Sequence, residues 1–399
     1  MNIDSFVFSF LMRNESFFKK DIEVNSVILE REIKGKSLLV IGGAGTIGTS
    51  FIKAALKFEP AKLIVIDVNE NGLTELVRDL RSSKNQFIPP EFVTYPLSFD
   101  SDAFRKLFRK NTPFDIIANF AAHKHVRSEK DIYSIEALLE TNVLKAKKLL
   151  DILLNYPPRH FFCVSTDKAA NPVNIMGASK KLMEEMILAY STQFKATTAR
   201  FANVAFSNGS LLDGFLRRIE RKQPIACPND VKRFFVAPQE AGEICLLACI
   251  LGDAGEIFFP KMDYENDQIY FLKFIKPVLN YFNYEPVFFD SEEDAVNAVN
   301  IIDSGKYPVY TFKTDTSGEK LYEEFYAEGE QCNFNKYHSL GSIVKQPSYD
   351  IYSITDIAEN LQKMFLNENL SKSDIVAWFK KTIPEFQHIE TGRKLDNRM

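Results

Sequence analysis

Ser165, Thr166, Asp167 and Lys168 stand in immediate succession, and Lys180 follows in the next helix-like segment. Two hydroxyls, a carboxylate and an amine can take a proton from an alcohol, give one to a departing oxygen and remove one from carbon. The stretch VSTDKAANPVNIMGASKK, Val164 to Lys181, follows the apolar run HFFC. It therefore begins where a parallel sheet delivers side chains to a ligand. Taken alone, STDK reads equally well as a turn and helix cap, which such residues make routinely. A second stretch, NFAAHKHVRSEKD from Asn119 to Asp131, also starts at the end of an apolar run and carries Lys124 and His125.

The third chemical feature is VIGGAGTIGTSF, Val40 to Phe51. Gly42, Gly45 and Gly48 give GxxGxxG, and Gly43 with Gly45 and Gly48 also satisfies GxGxxG. Glycines there turn the chain tightly, bring backbone N–H groups up to a pyrophosphate and let the new helix lie close on the strand. The flanking strand and helix patterns, and Asp67 at the end of the next strand-like run, make this a dinucleotide site by context. A carboxylate at position 67 accepts hydrogen bonds from ribose hydroxyls and repels a 2′-phosphate, which favours NAD over NADP. Capping of the following turn is the other reading of Asp67, and Arg78 or Arg81 near the ribose would weaken the preference.

These residues need a sheet to hold them. From Ser37 the chain alternates apolar runs with amphipathic stretches: SLLVIGG then TSFIKAALKF, KLIVIDV then GLTELVRDLRSS, FVTYPLS then DAFRKLFRK, FDIIANFAA then SIEALLETNVLKAKKLLDILL, HFFCVST then ASKKLMEEMILAYSTQF, and TTARFANV. This predicts a Rossmann-like, doubly wound parallel α/β sheet with right-handed crossovers and a smaller mixed C-terminal substrate-binding cap. The expected division is a helical N-terminal extension over 1–36, a Rossmann domain over 37–205 with returning elements near 236–260, a cap over 206–235 and 261–346, and a helical C-terminal segment over 347–399. Ser373 is the expected N-cap of the helix in SKSDIVAWFKKTIPEF.

The 399 residues carry 45% hydrophobic content and a net charge of -4, without a basic block, so nucleic acid is not an expected partner. No stretch has the length and apolarity of a membrane span, and no export signal is evident, so a cytoplasmic protein is expected. The five cysteines are scattered and never form CxxC, and with five unclustered histidines they predict buried thiols and no metal site.

Six ordered motifs carry a more specific resemblance: GGAGTIG, AAHKHV, STDKAANPVNIMGASK, RFANVAFSNGS, KRFFVAPQEAGE and GEKLYEEF. In these the chain resembles extended short-chain dehydrogenase/reductases, and within them the CapD-like polysaccharide-biosynthesis nucleotide-sugar 4,6-dehydratases, most of all the stand-alone bacterial enzymes acting on UDP-N-acetylglucosamine. The resemblance implies an NAD-dependent lyase without net redox, acting on a UDP- or GDP-linked N-acetylhexosamine and associating as a homo-oligomer. Such a reaction oxidises C4 with hydride passing to the cofactor, removes the acidified C5 proton, expels the C6 hydroxyl and returns the hydride to C6.

The resemblance implies the following roles. Thr166 meets the 4-hydroxyl, Asp167 is the acid to the leaving C6 hydroxyl and also a candidate acceptor of the 4-hydroxyl proton, Lys168 is the C5 base, and Lys180 holds the nicotinamide ribose. Met176 occupies the position of the superfamily's usual catalytic tyrosine, four residues before Lys180. Gly42, Gly45, Thr46, Ile47, Gly48, Asp67 and Ala121 would line the cofactor. Asn203 and Arg233 would hold the diphosphate, with Lys124, His125 and Glu319 on the substrate side. A lysine base works only when neutral, which calls for burial or a nearby cation. Three positions depart from the family pattern: Met176, Thr316 in place of an arginine, and Ser98 in place of an aspartate. A C4 epimerase, a reductase or a C5-inverting dehydratase of the same superfamily, and a non-catalytic dinucleotide-binding scaffold, are the alternative readings.

Overall fold

The computed structural model describes residues 2–314 and 323–390. Six of the apolar runs form parallel strands: β1 (Ser37–Ile41), β2 (Lys62–Asp67), β3 (Glu91–Pro96), β4 (Ile116–Asn119), β5 (His160–Val164) and β6 (Ala196–Ala199). Their order is β3-β2-β1-β4-β5-β6, and Val40 of β1 sits between Val65 of β2 and Ala118 of β4. β1, β2, β4 and β5 are buried nearly throughout, because helices cover both faces; this is why they read as unbroken apolar runs. Strand order reverses between β1 and β4, and that is where the loops after the strands part to admit a ligand.

The run EIFFP returns to the sheet as Ile257–Pro260, parallel to β6. Two short strands from the later part of the chain continue the sheet beyond it. Leu340–Ile343 pairs antiparallel with Ile257–Pro260, and Cys332–Asn333 pairs antiparallel with Leu340–Ile343. Residues 332–343 thus extend the main sheet. They are too short and too polar for periodicity to disclose them, and their strand character comes from pairing with a buried neighbour.

The cap is built on a parallel three-stranded sheet, Glu285–Phe289, Lys306–Phe312 and Ile225–Pro228, in that order. Helices Leu211–Glu220 and Leu272–Tyr281 pack on it around Phe215, Phe274, Val278 and Tyr307. The N-terminal extension forms helices Ile3–Phe10, Lys19–Val24 and Ser26–Ile33. They are fastened to the body by an Arg13–Glu240 ion pair of 2.9 Å and by Asp21, whose carboxylate accepts the His338 and Ser339 N–H groups at 2.7 and 2.6 Å.

Near the C-terminus, helix Lys372–Thr382 is capped by Ser371 and not by Ser373. Ser371 and Asp374 form a reciprocal capping box, which a cap two residues later would forfeit. Among the described residues no helix is long and apolar enough to cross a membrane.

Candidate functional site

The glycine turn follows β1 and leads into helix Thr46–Leu56, whose N-cap is Gly45 with no capping side chain. First-turn N–H groups at such an end favour an anion. Gly42 has φ +74°, and a Cβ on it would lie 2.5 Å from the Ala121 nitrogen; a Cβ on Gly48 would lie 2.4 Å from the Gly42 carbonyl oxygen. Both glycines are therefore demanded by the chain's own packing. Gly45 differs, since a Cβ there would meet only the Gly42 oxygen, at an ordinary 3.5 Å. The space beside Gly45 is open, and a pyrophosphate cradle requires such room.

Thr46, Ile47 and Gly48 form the first helical turn over this space, and Thr46 Oγ1 accepts the Asn208 N–H at 3.0 Å. Asp67 ends β2 beside them. One carboxylate oxygen accepts the Ala44 N–H at 3.0 Å, bracing the glycine turn, and the other caps Asn69 at 2.9 Å, the turn-capping geometry. Ala121 faces Gly42 from the loop after β4, held by its N–H to Asn119 Oδ1 at 3.1 Å.

The STDK turn follows β5, and Asp167–Ala169 is a single tight helical turn capped by Thr166. Thr166 Oγ1 donates to Asp167 Oδ1 at 2.7 Å, and Lys168 Nζ lies 3.3 Å from both Asp167 carboxylate oxygens. Hydroxyl, carboxylate and ammonium thus form a contiguous proton-carrying row. Helix Ile175–Tyr190 brings Lys180 beneath the turn, where the buried ammonium donates to the Val164 carbonyl at 3.0 Å. Burial pushes the Lys180 amine down, against the opposing pull of Cys163 and Glu184. Met176, 2% exposed, packs in the apolar cluster of the same helix. Its thioether contributes packing there and carries no proton.

Behind the turn is a buried ion network. Arg200, which follows β6 and is 0% exposed, makes a two-pronged bond to Glu184 at 2.8 and 2.7 Å and reaches Glu330 at 2.7 and 2.9 Å. Ser165 Oγ donates to the same Glu184 at 2.6 Å. One guanidinium therefore ties the STDK turn to the segment that holds Glu323 and Glu330.

In front of the turn opens a cavity of about 890 Å³. Asp167, Lys168, Lys124, His125, Asn203 and Arg233 all line it, so residues from four separate segments converge on one cavity. Lys124 Nζ donates to the Asn208 carbonyl at 2.8 Å, joining the loop after β4 to the cap. Enclosure, with the nearby cations Lys124, Arg127 and His123, holds the His125 imidazole below its usual value. Glu319 and Thr316 lie outside the described residues.

Two residues that shape the candidate site escape sequence reasoning. Glu323, 3% exposed, lines the cavity: its carboxylate accepts from Asn203 Nδ2 at 2.5 Å and from the Phe234 N–H at 3.0 Å. Arg233 Nε and Lys168 Nζ lie 3.3 and 3.7 Å from its Oε1. Burial, and then the Asp167 charge, lift the Glu323 carboxyl to about 7. The motif GEKLYEEF contains it, but spacing does not separate Glu323 from its neighbour Glu324. The second is Asn142, in a π-helical turn, Glu140–Lys145, within an otherwise α-helical stretch. Its amide exchanges hydrogen bonds with the His123 backbone at 2.8 and 2.9 Å and so sets the loop carrying Lys124 and His125.

Lys168 departs from the expected neutral base. Burial opposes its charge, but Asp167 and Glu323 more than offset this and hold the ammonium above the ordinary lysine value. Among the described residues no group of three or more potential ligands is placed to hold a metal ion.

Fold and site together define a nucleotide-binding α/β protein of the doubly wound type, with a polar, acid- and amine-bearing pocket at the strand C-termini. The chain belongs to the family described as polysaccharide biosynthesis protein, which matches residues 38–345. It is 32% identical over 313 residues to the uncharacterized membrane protein MJ1061 of Methanocaldococcus jannaschii, covering 77% of this chain and 85% of that protein. It is 30% identical to the capsular polysaccharide biosynthesis protein CapD of Staphylococcus aureus over 59% of this chain, but spans only 40% of CapD's length. It is 26% identical to the UDP-N-acetylglucosamine 4,6-dehydratase (inverting) of Campylobacter jejuni, over 57% of this chain and 67% of that enzyme. Among solved structures, Pen from Bacillus thuringiensis superposes with a TM-score of 0.62 at 21% identity, covering 85% of this chain and 99% of Pen, a likeness of fold.

Proposed function

We propose that the protein is an NAD-dependent enzyme acting on nucleotide sugars, and specifically a 4,6-dehydratase of a UDP- or GDP-linked N-acetylhexosamine. The observation that carries this reading is the row Thr166–Asp167–Lys168, contiguous through hydrogen bonds and opening on a cavity that also holds Arg233 and Asn203. The names of the relatives support it: a UDP-N-acetylglucosamine 4,6-dehydratase and several UDP-glucose 4-epimerases are similar over more than half of this chain.

NAD, held at the glycine turn by the N–H groups around Gly45 and at the ribose by Asp67, supplies a reversible hydride acceptor. The chain's own residues handle the protons. Thr166 receives the 4-hydroxyl proton and passes it along its 2.7 Å hydrogen bond to Asp167. Lys168, once neutral, removes the proton from C5. Asp167 then returns its proton to the C6 hydroxyl, which leaves as water, and Lys168 gives its proton back to C5 as C6 recovers the hydride taken from C4. The sugar loses one water, and both side chains end as they began. This row takes over the task of the tyrosine replaced by Met176. Arg233 and Asn203 suit the diphosphate, to which a guanidinium is matched in charge and geometry, and Lys124 and His125 face the hexose.

The test incubates the protein with UDP-N-acetylglucosamine and, separately, GDP-N-acetylglucosamine in deuterated water, followed by NMR and mass spectrometry. Loss of one water, a new 6-methyl signal, deuterium at C5 and no net NADH are expected. Inversion at C4 without water loss would replace this reading with an epimerase, and no reaction with either substrate and NAD supplied would overturn it.

The cofactor cradle has its own test. Gly45→Ala leaves the thermal midpoint unchanged and weakens NAD binding by roughly tenfold or more, equivalent to ~1.4 kcal/mol. Gly48→Ala lowers the thermal midpoint itself, because its Cβ would collide with backbone. Equal losses of stability in the two variants, read by calorimetry, would refute the distinction.

A further inference from the structure

Residues 386–390 lie beyond the stretch that matches the family, which ends at residue 345, and run beside the loop that follows the STDK turn. The Gln387 and Ile389 N–H groups donate to the Pro172 and Val173 carbonyls at 3.1 and 3.0 Å. Between them His388 Nε2 lies 3.2 Å from Glu129 Oε2, and the other oxygen of that carboxylate accepts the Ile175 N–H at 2.5 Å. Glu129, 8% exposed, therefore joins three parts of the chain: the loop after β4, the first residue of helix Ile175–Tyr190 and the C-terminal segment. Lys372 Nζ, 3.6 Å away, supplies a countercharge. The segment is itself anchored, since Phe386 is buried and packs on Phe379 in the apolar cluster that contains Met176. We propose that residues 386–390, with His388 acting through Glu129, are a positioning element of the active site that holds loop 171–174 and the first turn of helix Ile175–Tyr190 against the proton row. The proposal rests on the nucleotide-sugar reading for its effect on turnover, and goes beyond it by placing part of the catalytic scaffold outside the family region.

The segment holds what the cavity is made of. Asn171, Val173 and Asn174 of the loop line the cavity, and so do Arg127, Ser128 and Lys130 around Glu129. Pro172 has no N–H with which to pair, so this stretch is tied through its carbonyls, which the C-terminal segment meets. On the cavity side Asn171 Nδ2 donates to Glu324 at 2.9 Å. The link to the chemistry has no slack. A Cβ on Gly177 would lie 2.5 Å from the Lys168 carbonyl oxygen, so the first turn of the helix rests directly on the residue proposed as base. A shift of Ile175 is therefore passed to Lys168. Displacing a reacting group by about 1 Å can cost roughly 10²-fold in rate. Removing His388 would leave a buried oxygen of Glu129 short of a partner, on the carboxylate that fixes Ile175.

Two pairs of full-length variants test this. Gln387 and Ile389 have exposed side chains, so Gln387→Pro with Ile389→Pro removes the two N–H donors, whereas Gln387→Ala with Ile389→Ala keeps them. Relative to the alanine pair, the proline pair is expected to exchange amide hydrogens faster in peptides covering 168–176, read by mass spectrometry. Its kcat on the nucleotide sugar is expected to fall by roughly 10–10²-fold. NAD affinity, set at the glycine turn, is unchanged. In the second pair, His388→Gln keeps a donor for Glu129 and retains turnover that His388→Leu loses. A merely structural tail would lower the thermal midpoint and leave loop exchange and kcat alike within each pair, measured well below that midpoint. A proline pair whose loop exchanges no faster than in the alanine pair, or whose kcat matches it, overturns the proposal. Equal kcat in His388→Gln and His388→Leu does the same, and decides the matter if the proline pair does not fold. Absence of turnover by the wild-type protein overturns the substrate reading instead, and the exchange rates then still decide whether the segment holds the loop.

Discussion

Asp167→Asn and Lys168→Ala each suppress formation of the 4-keto-6-deoxy product by roughly 10²–10⁴-fold while NAD remains bound. In the asparagine variant Thr166 still has a side-chain oxygen to donate to, but no group in the row accepts the 4-hydroxyl proton or returns one to the departing oxygen. In the alanine variant the C5 proton has no acceptor. Because Asp167 helps lift the Glu323 carboxyl, its neutralisation also lets Glu323 stay ionised at lower pH. The measurement is single-turnover NMR beside a fluorescence titration of NAD. Full activity in either variant would remove these residues from the mechanism.

Replacing Arg200 by Met costs about 3–5 kcal/mol of stability, because it strands the buried carboxylates of Glu184 and Glu330 without their cation. The guanidinium is fully buried and its four carboxylate contacts span 2.7–2.9 Å. Acid unfolding reads the same network. Burial favours a protonated Glu330, but Arg200 overcomes it and brings the carboxyl from 4.5 down to about 2. A carboxyl depressed by folding contributes stability that is complete above its unfolded value near 4.5 and is lost as pH falls toward about 2. Arg200→Met should abolish that part of the acid sensitivity. A loss below about 1 kcal/mol, the range of an exposed ion pair, would show that the network does not hold the turn in place.

Much of this was legible from periodicity. β1, β2, β4 and β5 lie where apolar runs predict them, since a strand buried on both faces must be apolar along its length. The glycine turn was legible from its residue types and flanking pattern, whereas STDK taken alone read equally well as a turn and helix cap. What stayed hidden depends on partners distant in sequence. Residues 332–343 are strands because a buried neighbour pairs with them. Glu323 is a site residue because Asn203, Phe234, Arg233 and Lys168 converge on it from three other segments. The charge state of Lys168 turned out opposite to the condition its role sets, since two carboxylates face it and only one of them adjoins it in the chain. Asn142 was concealed by its π-helical turn, which leaves no mark on the apolar pattern of the helix.

Three of the four glycines of the turn, Gly42, Gly45 and Gly48, meet different surroundings, and this makes one of them a diagnostic marker. Positions 42 and 48 answer to the backbone around them, so a relative that had abandoned nucleotides would still have to retain them to fold. At position 45 the chain itself would accept a Cβ, so on the proposed reading it is the bound dinucleotide that asks for glycine. Once selection for a dinucleotide lapses, it is the position free to drift to alanine or serine. Within this fold, an otherwise intact motif with a side chain at the middle glycine would mark a descendant that has kept the architecture and lost the cofactor.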